Sequence, residues 1–551
     1  MTKKALLAMT VLTALTASAI NYPRSEEQKS AMQTLLMAYL DSNFPCQVTS
    51  VAVTGNEVII NGNTTGNGTW ALAEITPVDD VTEPHTFARI TPINGHTFTV
   101  TMPRHTWCDG YEYDRVLSRW VIIDVSVNGA HTLASHARYA DTVTPISSPQ
   151  ELLPASKKGV GAGLGQTYME DIVTLNAHSI TINVIINQMI ALSPIWKNNI
   201  EYRYGGRSYY IDGDEIVSWD RHLNFYQAHN VVVSAIILIT PTSTDPALNS
   251  VFCHPENNGG FYTMPNMTTM AGVNAYSAII NYLASRYNGS GHGRIHHWIM
   301  HNEVDMATMW TNMGSLPELT YLDAYMKSMR LCHNIVRQYD QHAAILASFT
   351  HNWTVTTDGD YPSRSMMEHI VQYSKAEGDF WWGLACHPYP QDINLPDFWI
   401  DDTQSTYSQN TGYVTFKNLE VINDWIQMPD HLYKGTVKRK LFLSENGTNS
   451  LSYSEKDLAR QAAGGAWAWK KANALPGIDA IMWHNWMDNR EEFGLRIGLH
   501  YYPDDEMNPG GNKPVWHVWK AAGTEQEDMV FDTYKEILGI SNWNDIFLTK
   551  P

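Results

Sequence analysis

The chain has 551 residues, 44 % of them apolar, and a net charge of −19. That length holds more than one domain, and the composition is that of a globular protein with a sizeable core. The acidic balance argues against nucleic acid and anionic membranes as partners, since these require basic surfaces.

Lys3 and Lys4 precede the apolar run ALLAMTVLTALTA, and Ala17-Ser18-Ala19 follows. This charged, apolar, small-residue order is that of a secretory signal. It predicts that residues 1–19 are removed near Ala19 and that the protein is secreted or periplasmic. No later run reaches the roughly 18 apolar residues of a membrane span. The five cysteines, at 46, 108, 253, 332 and 386, have no CxxC or zinc spacing. Cys46 and Cys108 lie in one region and are the candidates for a pair. Cys332 and Cys386 sit in apolar segments and read as packing residues.

Residues 20–44 carry EEQKSAMQTLLMAYL, whose apolar positions recur at helical spacing. This segment is expected to pack on a neighbouring domain. Over 45–145 the period changes to two, in QVTSVAVTGNEVIINGNTT, HTFTVTMP and RWVIIDVSVNG, with Gly and Asn turns between. Short strands with close turns predict a β-sandwich accessory domain. It either binds carbohydrate or spaces the next domain, and Trp70, Trp107 and Trp120 are candidates for its core. A proline-punctuated linker, 144–159, follows.

From 146 to 551 the pattern alternates between strands and helices. Strands are expected at 158–165, 179–188, 230–240, 294–304, 343–351, 380–390, 440–446 and 478–486. Helices are expected at 273–287, 319–339, 365–378, 416–428, 454–472 and 527–539, with Ser454 and Asp457 as a capping box. Eight apolar strands interleaved with helices predict a (β/α)8 TIM barrel with insertions. An open doubly wound sheet is the alternative. Gly159, Gly161, Gly163 and Gly165 recur at every second residue, which is not the GxGxxG of a dinucleotide fold. The longest connection, 241–272, follows the third strand and is expected to wall a cleft.

Two stretches end alike. RIHHWIMHNEVD, 294–305, runs apolar into Asn302-Glu303, and RKLFLSENGT, 439–448, runs apolar into Glu445. In a barrel both acids would face one cavity at the C-terminal end of the strands. Cleaving a glycosidic bond needs such a pair, one carboxyl to protonate the leaving oxygen and one to act at the anomeric carbon. Asn56-Glu57 shows how weak the dipeptide is alone, since it falls in a turn.

Asn-Glu ending the fourth strand and Glu ending the seventh resemble clan A glycoside hydrolases, which are retaining (β/α)8 enzymes. The resemblance implies that Glu303 is the acid/base, that Glu445 is the nucleophile, and that Asn302 holds the hydroxyl next to the anomeric carbon. It further implies that His387 and Tyr389 lie close to the nucleophile and that Trp483, on the eighth strand, is a sugar platform. The match covers the barrel. Val304 stands where many members have Pro.

Of the other aromatic candidates near strand ends, Trp310 among them, Trp353 ranks next for stacking a sugar. His351 is a candidate for a hydroxyl contact or a structural hydrogen bond, as are Asn187 and Gln188. His301 either touches substrate or is a satisfied residue inside the barrel. His296, His297 and His301 invite a metal-dependent hydrolase as a rival reading, but the ligand set is incomplete. DGDE (212–215) and DGD (358–360) read as acidic turns rather than calcium loops. The expectation is a retaining hydrolase of a poly- or oligosaccharide that needs no cofactor or metal. Its acid Glu303 should keep its proton because ionised Glu445 is near. The other rival is a non-catalytic carbohydrate-binding protein on a degenerate barrel.

Overall fold

The computed structural model describes residues 22–127, 130–161 and 163–550. The signal assigned to 1–19 lies outside them. Among the described residues no helix is long and apolar enough to cross a membrane.

Helix Glu26–Leu40 opens the described chain behind the Ser25/Gln28 capping box and buries Met32, Leu36, Tyr39 and Leu40. It packs on helix Glu318–Val336 of the barrel, as expected. Two four-stranded sheets follow. One orders Thr142–Val143, Gln47–Val53, Glu57–Asn63 and Thr97–Pro103. The other orders Arg89–Pro92, Trp70–Ile75, Arg119–Val127 and Ala130–Leu133. Alternation explains the first sheet: Val51, Val53, Val58 and Ile60 are buried, while Glu57 and Asn63 are not. The second sheet is buried on both faces in Trp70–Ile75, as a layer between two others must be. Trp120 is core, Trp70 is half-buried, and Trp107 is 64 % exposed and so is not a core residue.

This domain is tied to the barrel by buried polar contacts. Arg119 pairs with Glu377 at 2.5 Å, and Tyr39 donates to the same carboxylate at 2.9 Å. Asn334 donates to the Val116 carbonyl at 2.9 Å. Cys46 and Cys108 are unpaired, as are the other three cysteines, which corrects the candidate disulfide. Cys108 instead accepts a hydrogen bond from Arg89. Cys332 and Cys386 are buried packing residues as expected.

The barrel has eight parallel strands: β1 Lys158–Val160, β2 Ser179–Ile185, β3 Val232–Leu238, β4 His297–Met300, β5 Ile345–Phe349, β6 Trp382–Cys386, β7 Leu441–Asn446 and β8 Ala480–Trp483. They close on themselves, β1 pairing with both β2 and β8. All eight fall within the predicted stretches and are shorter than them. Three of the alternating glycines, Gly159, Gly161 and Gly163, serve close packing. A Cβ on Gly159 would lie 2.7 Å from the Ser179 carbonyl and 2.8 Å from Met482. Ile236, Leu238, Ile299, Leu346, Ala385, Phe442, Ala480 and Met482 fill the interior. The alternate residues, among them Trp298, Ala347, Leu384, Leu443 and Trp483, join the helical layer outside. This parity decides which side chains can reach the cavity.

Ser454 caps helix Glu455–Ala474 by accepting from the Asp457 amide. The capping box is half formed, because the Asp457 carboxylate takes the Ser452 hydroxyl at 2.5 Å instead. Asp212 caps helix Gly213–Ala228, and Asp360 accepts from the Thr308 amide, so both acidic turns are structural.

The segment after β8 folds over the barrel mouth. It is pinned by Lys513 and Asp488, a fully buried pair at 3.0 Å to which Tyr453 adds a hydrogen bond at 2.7 Å. Lys513→Met is expected to cost about 3–5 kcal/mol by leaving Asp488 buried and unpaired. Denaturant unfolding checks this, and pairing the change with Asp488→Leu should recover much of the loss.

Candidate active site

β4 ends at Met300, and the next five residues build one side of the site. His301 and Glu303 both adopt positive φ, 62° and 40°. Non-glycine residues seldom do so, at a cost on the order of 1 kcal/mol or more each, and such strain gathers at functional sites. Hydrogen bonds hold the conformation. The Glu303 amide donates to Ser348 Oγ at 3.0 Å, and the Val304 amide to the Ser348 carbonyl at 3.1 Å. Asp305 accepts from the Thr350 amide and hydroxyl at 2.9 and 2.5 Å, fastening the turn to the end of β5.

Glu445 comes from β7. The pairing of β7 with β8 shifts register between Leu443 and Asn446. Such an irregularity re-aims the side chains within it. Ser444 stays buried while Glu445 reaches the cleft. Two residues beyond Ala385, on the inward parity, His387 follows the end of β6, and Tyr389 follows at the next inward position. Nδ1 of His387 lies 2.7 Å from Glu303 Oε1, and the Tyr389 hydroxyl donates to Glu445 Oε1 at 3.1 Å. An oxygen of Glu303, a ring nitrogen of His387 and an oxygen of Glu445 all lie within 4.8 Å of one another.

Burial sets the charge states. Glu303 is 7 % exposed. Desolvation raises its pKa to about 8; His484 opposes this and Glu492 adds to it. Burial is therefore the cause, in place of the Glu445 charge expected from sequence. Desolvation lowers His387, with Glu445 opposing, so around neutrality the Glu303–His387 contact is a hydrogen bond between two neutral groups. Asp305 is pushed up to about 8, also by burial.

The cleft beside these groups encloses about 490 Å³. Asn302 and Glu445 line it. Phe261, from the 241–272 connection, and Trp310 form one wall, their rings 5.0 Å apart and 27° from parallel. That connection walls the cleft as expected.

Six sequence candidates are placed elsewhere. Trp483 is fully buried and points outward from β8. It donates to the Ile497 carbonyl at 2.8 Å and packs on Trp519, so it is no sugar platform. Trp353 is also core, donating to the Gln409 carbonyl and meeting Trp425 edge-on. His301 turns outward, its Nδ1 3.1 Å from the Ile237 carbonyl and its Nε2 3.2 Å from Ser328 Oγ. His351 sits against Tyr413 behind His387, with burial lowering its pKa to about 4 and His387 adding to the effect. Its Nδ1 is buried without a partner. Asn187 and Gln188 hold the end of β2 to Thr240 and Thr242 and are structural.

Sequence reasoning missed His484 and Glu492. His484 is one step beyond Trp483 and so faces inward. Its Nε2 is 3.1 Å from Glu492 Oε1 and its Nδ1 is 4.0 Å from Glu445 Oε2. Desolvation lowers its pKa, but Glu445 and Glu492 outweigh this and raise it overall. Strand parity was the available signal, whereas Glu492 lies in a loop whose path no local pattern gives.

The three histidines of the metal reading serve the backbone. His296 accepts from the Val233 amide and His297 from the Ala344 amide, each at 3.1 Å. Among the described residues, Glu303, His387 and Glu445 have the spacing to hold a cation. Binding would require Glu303 to lose the proton that burial keeps on it.

A family model described as a family of unknown function, DUF5722, matches residues 151–546. No curated protein matches the chain. Among solved structures, a family 39 glycoside hydrolase from the gut symbiont Bacteroides cellulosilyticus WH2 aligns over 88 % of this chain and 83 % of its own, at 12 % identity and a TM-score of 0.44. Bacteroides uniformis beta-glucuronidase 2, covalently bound to cyclophellitol-6-carboxylate aziridine, aligns over 88 % of this chain and 50 % of its own, at 11 % identity and 0.37. A hyperthermophilic beta-glucosidase from Pyrococcus furiosus aligns over 68 % and 87 %, at 9 % identity and 0.41.

Proposed function

The chain belongs to the family of unknown function DUF5722, and we propose that it is an exported, retaining glycoside hydrolase acting on a poly- or oligosaccharide. One observation carries the reading: two carboxylates, one just past the end of β4 and one on β7, have oxygens within 4.8 Å of each other, and Glu445 lines an open cleft. Retaining enzymes keep their carboxyls about 5–5.5 Å apart, whereas inverting ones leave about 6.5–9.5 Å for a water. Export rests on the signal-like order of residues 1–19.

The two acids differ in environment, and the difference assigns their roles. Glu303 is buried and protonated at neutral pH, as a general acid must be. Glu445 reaches the cleft, with the Tyr389 hydroxyl steadying one oxygen and His484 near the other. In the first step Glu445 attacks the anomeric carbon while Glu303 gives its proton to the leaving oxygen. In the second, Glu303 takes a proton from water, which displaces Glu445. His387, against Glu303, is placed to steady that carboxyl through both proton transfers.

A 2-deoxy-2-fluoroglycoside with a good leaving group should trap the covalent intermediate. Intact-mass analysis is expected to show one added sugar, and peptide mapping to place it on Glu445. A first-formed product of inverted configuration by NMR would overturn the retaining mechanism. Turnover is expected to survive EDTA, and loss on chelation with recovery on adding metal would favour the metal reading of Glu303, His387 and Glu445. Trp310→Ala, which removes one face of the aromatic wall, should raise KM about tenfold with less effect on kcat.

A further inference from the structure

We infer that the cleft selects an electrically neutral sugar ring and rejects uronic acids and sulfated sugars. This rests on the glycosidase reading above and names the substrate class for that site.

The charged groups lining the cleft are acids, Glu445, Glu491 and Glu492, and among the described residues no Lys or Arg lines it. His484 can carry a positive charge there, but it is engaged, 3.1 Å from Glu492 and 4.0 Å from Glu445. Asn485, another donor near the floor, is spent on Glu492 Oε2 at 3.2 Å. Arg490 precedes Glu491 in the same loop and turns outward, over the Tyr502 ring at 4.1 Å and against Asp504 at 2.5 Å.

A carboxylate or sulfate entering this cleft would give up water, meet fixed negative charges and find no free cation. Proteins recognise such groups with Arg or Lys, and burying an unpaired charge is costly. What the cleft does offer suits hydroxyls and C–H faces. Asn183 and Asn302 supply neutral donors and acceptors, and Phe261 and Trp310 supply a stacked apolar wall.

Matched pairs that differ only at C6 test the inference. The nitrophenyl glucoside and glucuronide, and galactoside and galacturonide, are compared by kcat/KM. The corresponding methyl glycosides and methyl glycosiduronates are titrated against the full-length protein by tryptophan fluorescence. The neutral member of each pair is expected to be favoured by about 100-fold. Glu491→Lys is expected to narrow that gap about tenfold, less so at high salt. A uronide that is bound or cleaved as well as its neutral partner would overturn the inference, whatever the turnover. Neutral glycosides that bind selectively but are never cleaved would sink the hydrolase reading and leave the selectivity standing.

Discussion

Glu445→Ala is expected to lower kcat/KM on every glycoside by on the order of 10⁴-fold, whereas Glu303→Ala loses that much only where the leaving group is a poor one. The asymmetry follows from what each carboxyl does. Without Glu445 no covalent intermediate forms, and no leaving group compensates. Without Glu303 a sugar leaving group departs unprotonated, but a nitrophenolate departs without help, so the first step survives and the second slows. Azide should separate the roles by stereochemistry. In Glu445→Ala it enters the space of the lost carboxylate and displaces the leaving group once, giving a glycosyl azide of inverted configuration. In Glu303→Ala it attacks the sugar already bound to Glu445 from the opposite face, giving one of retained configuration. Equal loss on activated and unactivated substrates, or the same azide product from both variants, would sink the assignment. Circular dichroism on each variant confirms that the loss is chemical, since Tyr389 and His387 lose only one partner each.

The barrel was legible because every strand is a short apolar run between polar helices, and because β1 lacks the glycine spacing of a dinucleotide fold. The two neighbouring acids were legible for the same reason, as carboxylates closing buried strands. What failed was parity. A strand's side chains alternate, so Trp483, which the clan resemblance marked, faces Trp519, and its neighbour His484 faces Glu445. On β4 the alternation itself breaks. Positive φ at His301 turns that ring toward Ser328, away from the cavity that regular geometry would give it. The hairpin Asn199–Tyr204 and Arg207–Asp212, beyond β2, was also overlooked. Its Gly205-Gly206 turn between alternating flanks was a usable signal. The path of the loop carrying Glu492 and Phe493 was not readable, because it depends on Lys513 meeting Asp488 across 25 residues of chain.

The burial that keeps a proton on Glu303 should be measurable as a stability penalty, and Glu303→Gln is expected to melt higher than the parent protein in alkaline solution. In the unfolded chain this carboxyl loses its proton near its ordinary 4.5, and in the folded protein near 8. Between those values the folded state holds a proton that the unfolded state has lost, so raising pH takes stability away from the fold. The loss begins above about pH 4.5 and is complete above about pH 8. At about 1.4 kcal/mol per pH unit it reaches at most roughly 5 kcal/mol. Gln carries no charge at any pH and escapes the penalty, so its advantage in Tm should be absent at pH 4 and largest near pH 9. Catalysis should follow the same proton. The alkaline limb of kcat/KM is expected to bend near pH 8 and then fall about tenfold per pH unit as Glu303 ionises. With an activated leaving group that limb should vanish in Glu303→Ala, because no proton is then required. A limb that persists there, or a Glu303→Gln protein no more stable at pH 9 than the parent, would show that the proton is held elsewhere. Asp305, also pushed up to about 8 and fixed to Thr350, is the group to test next.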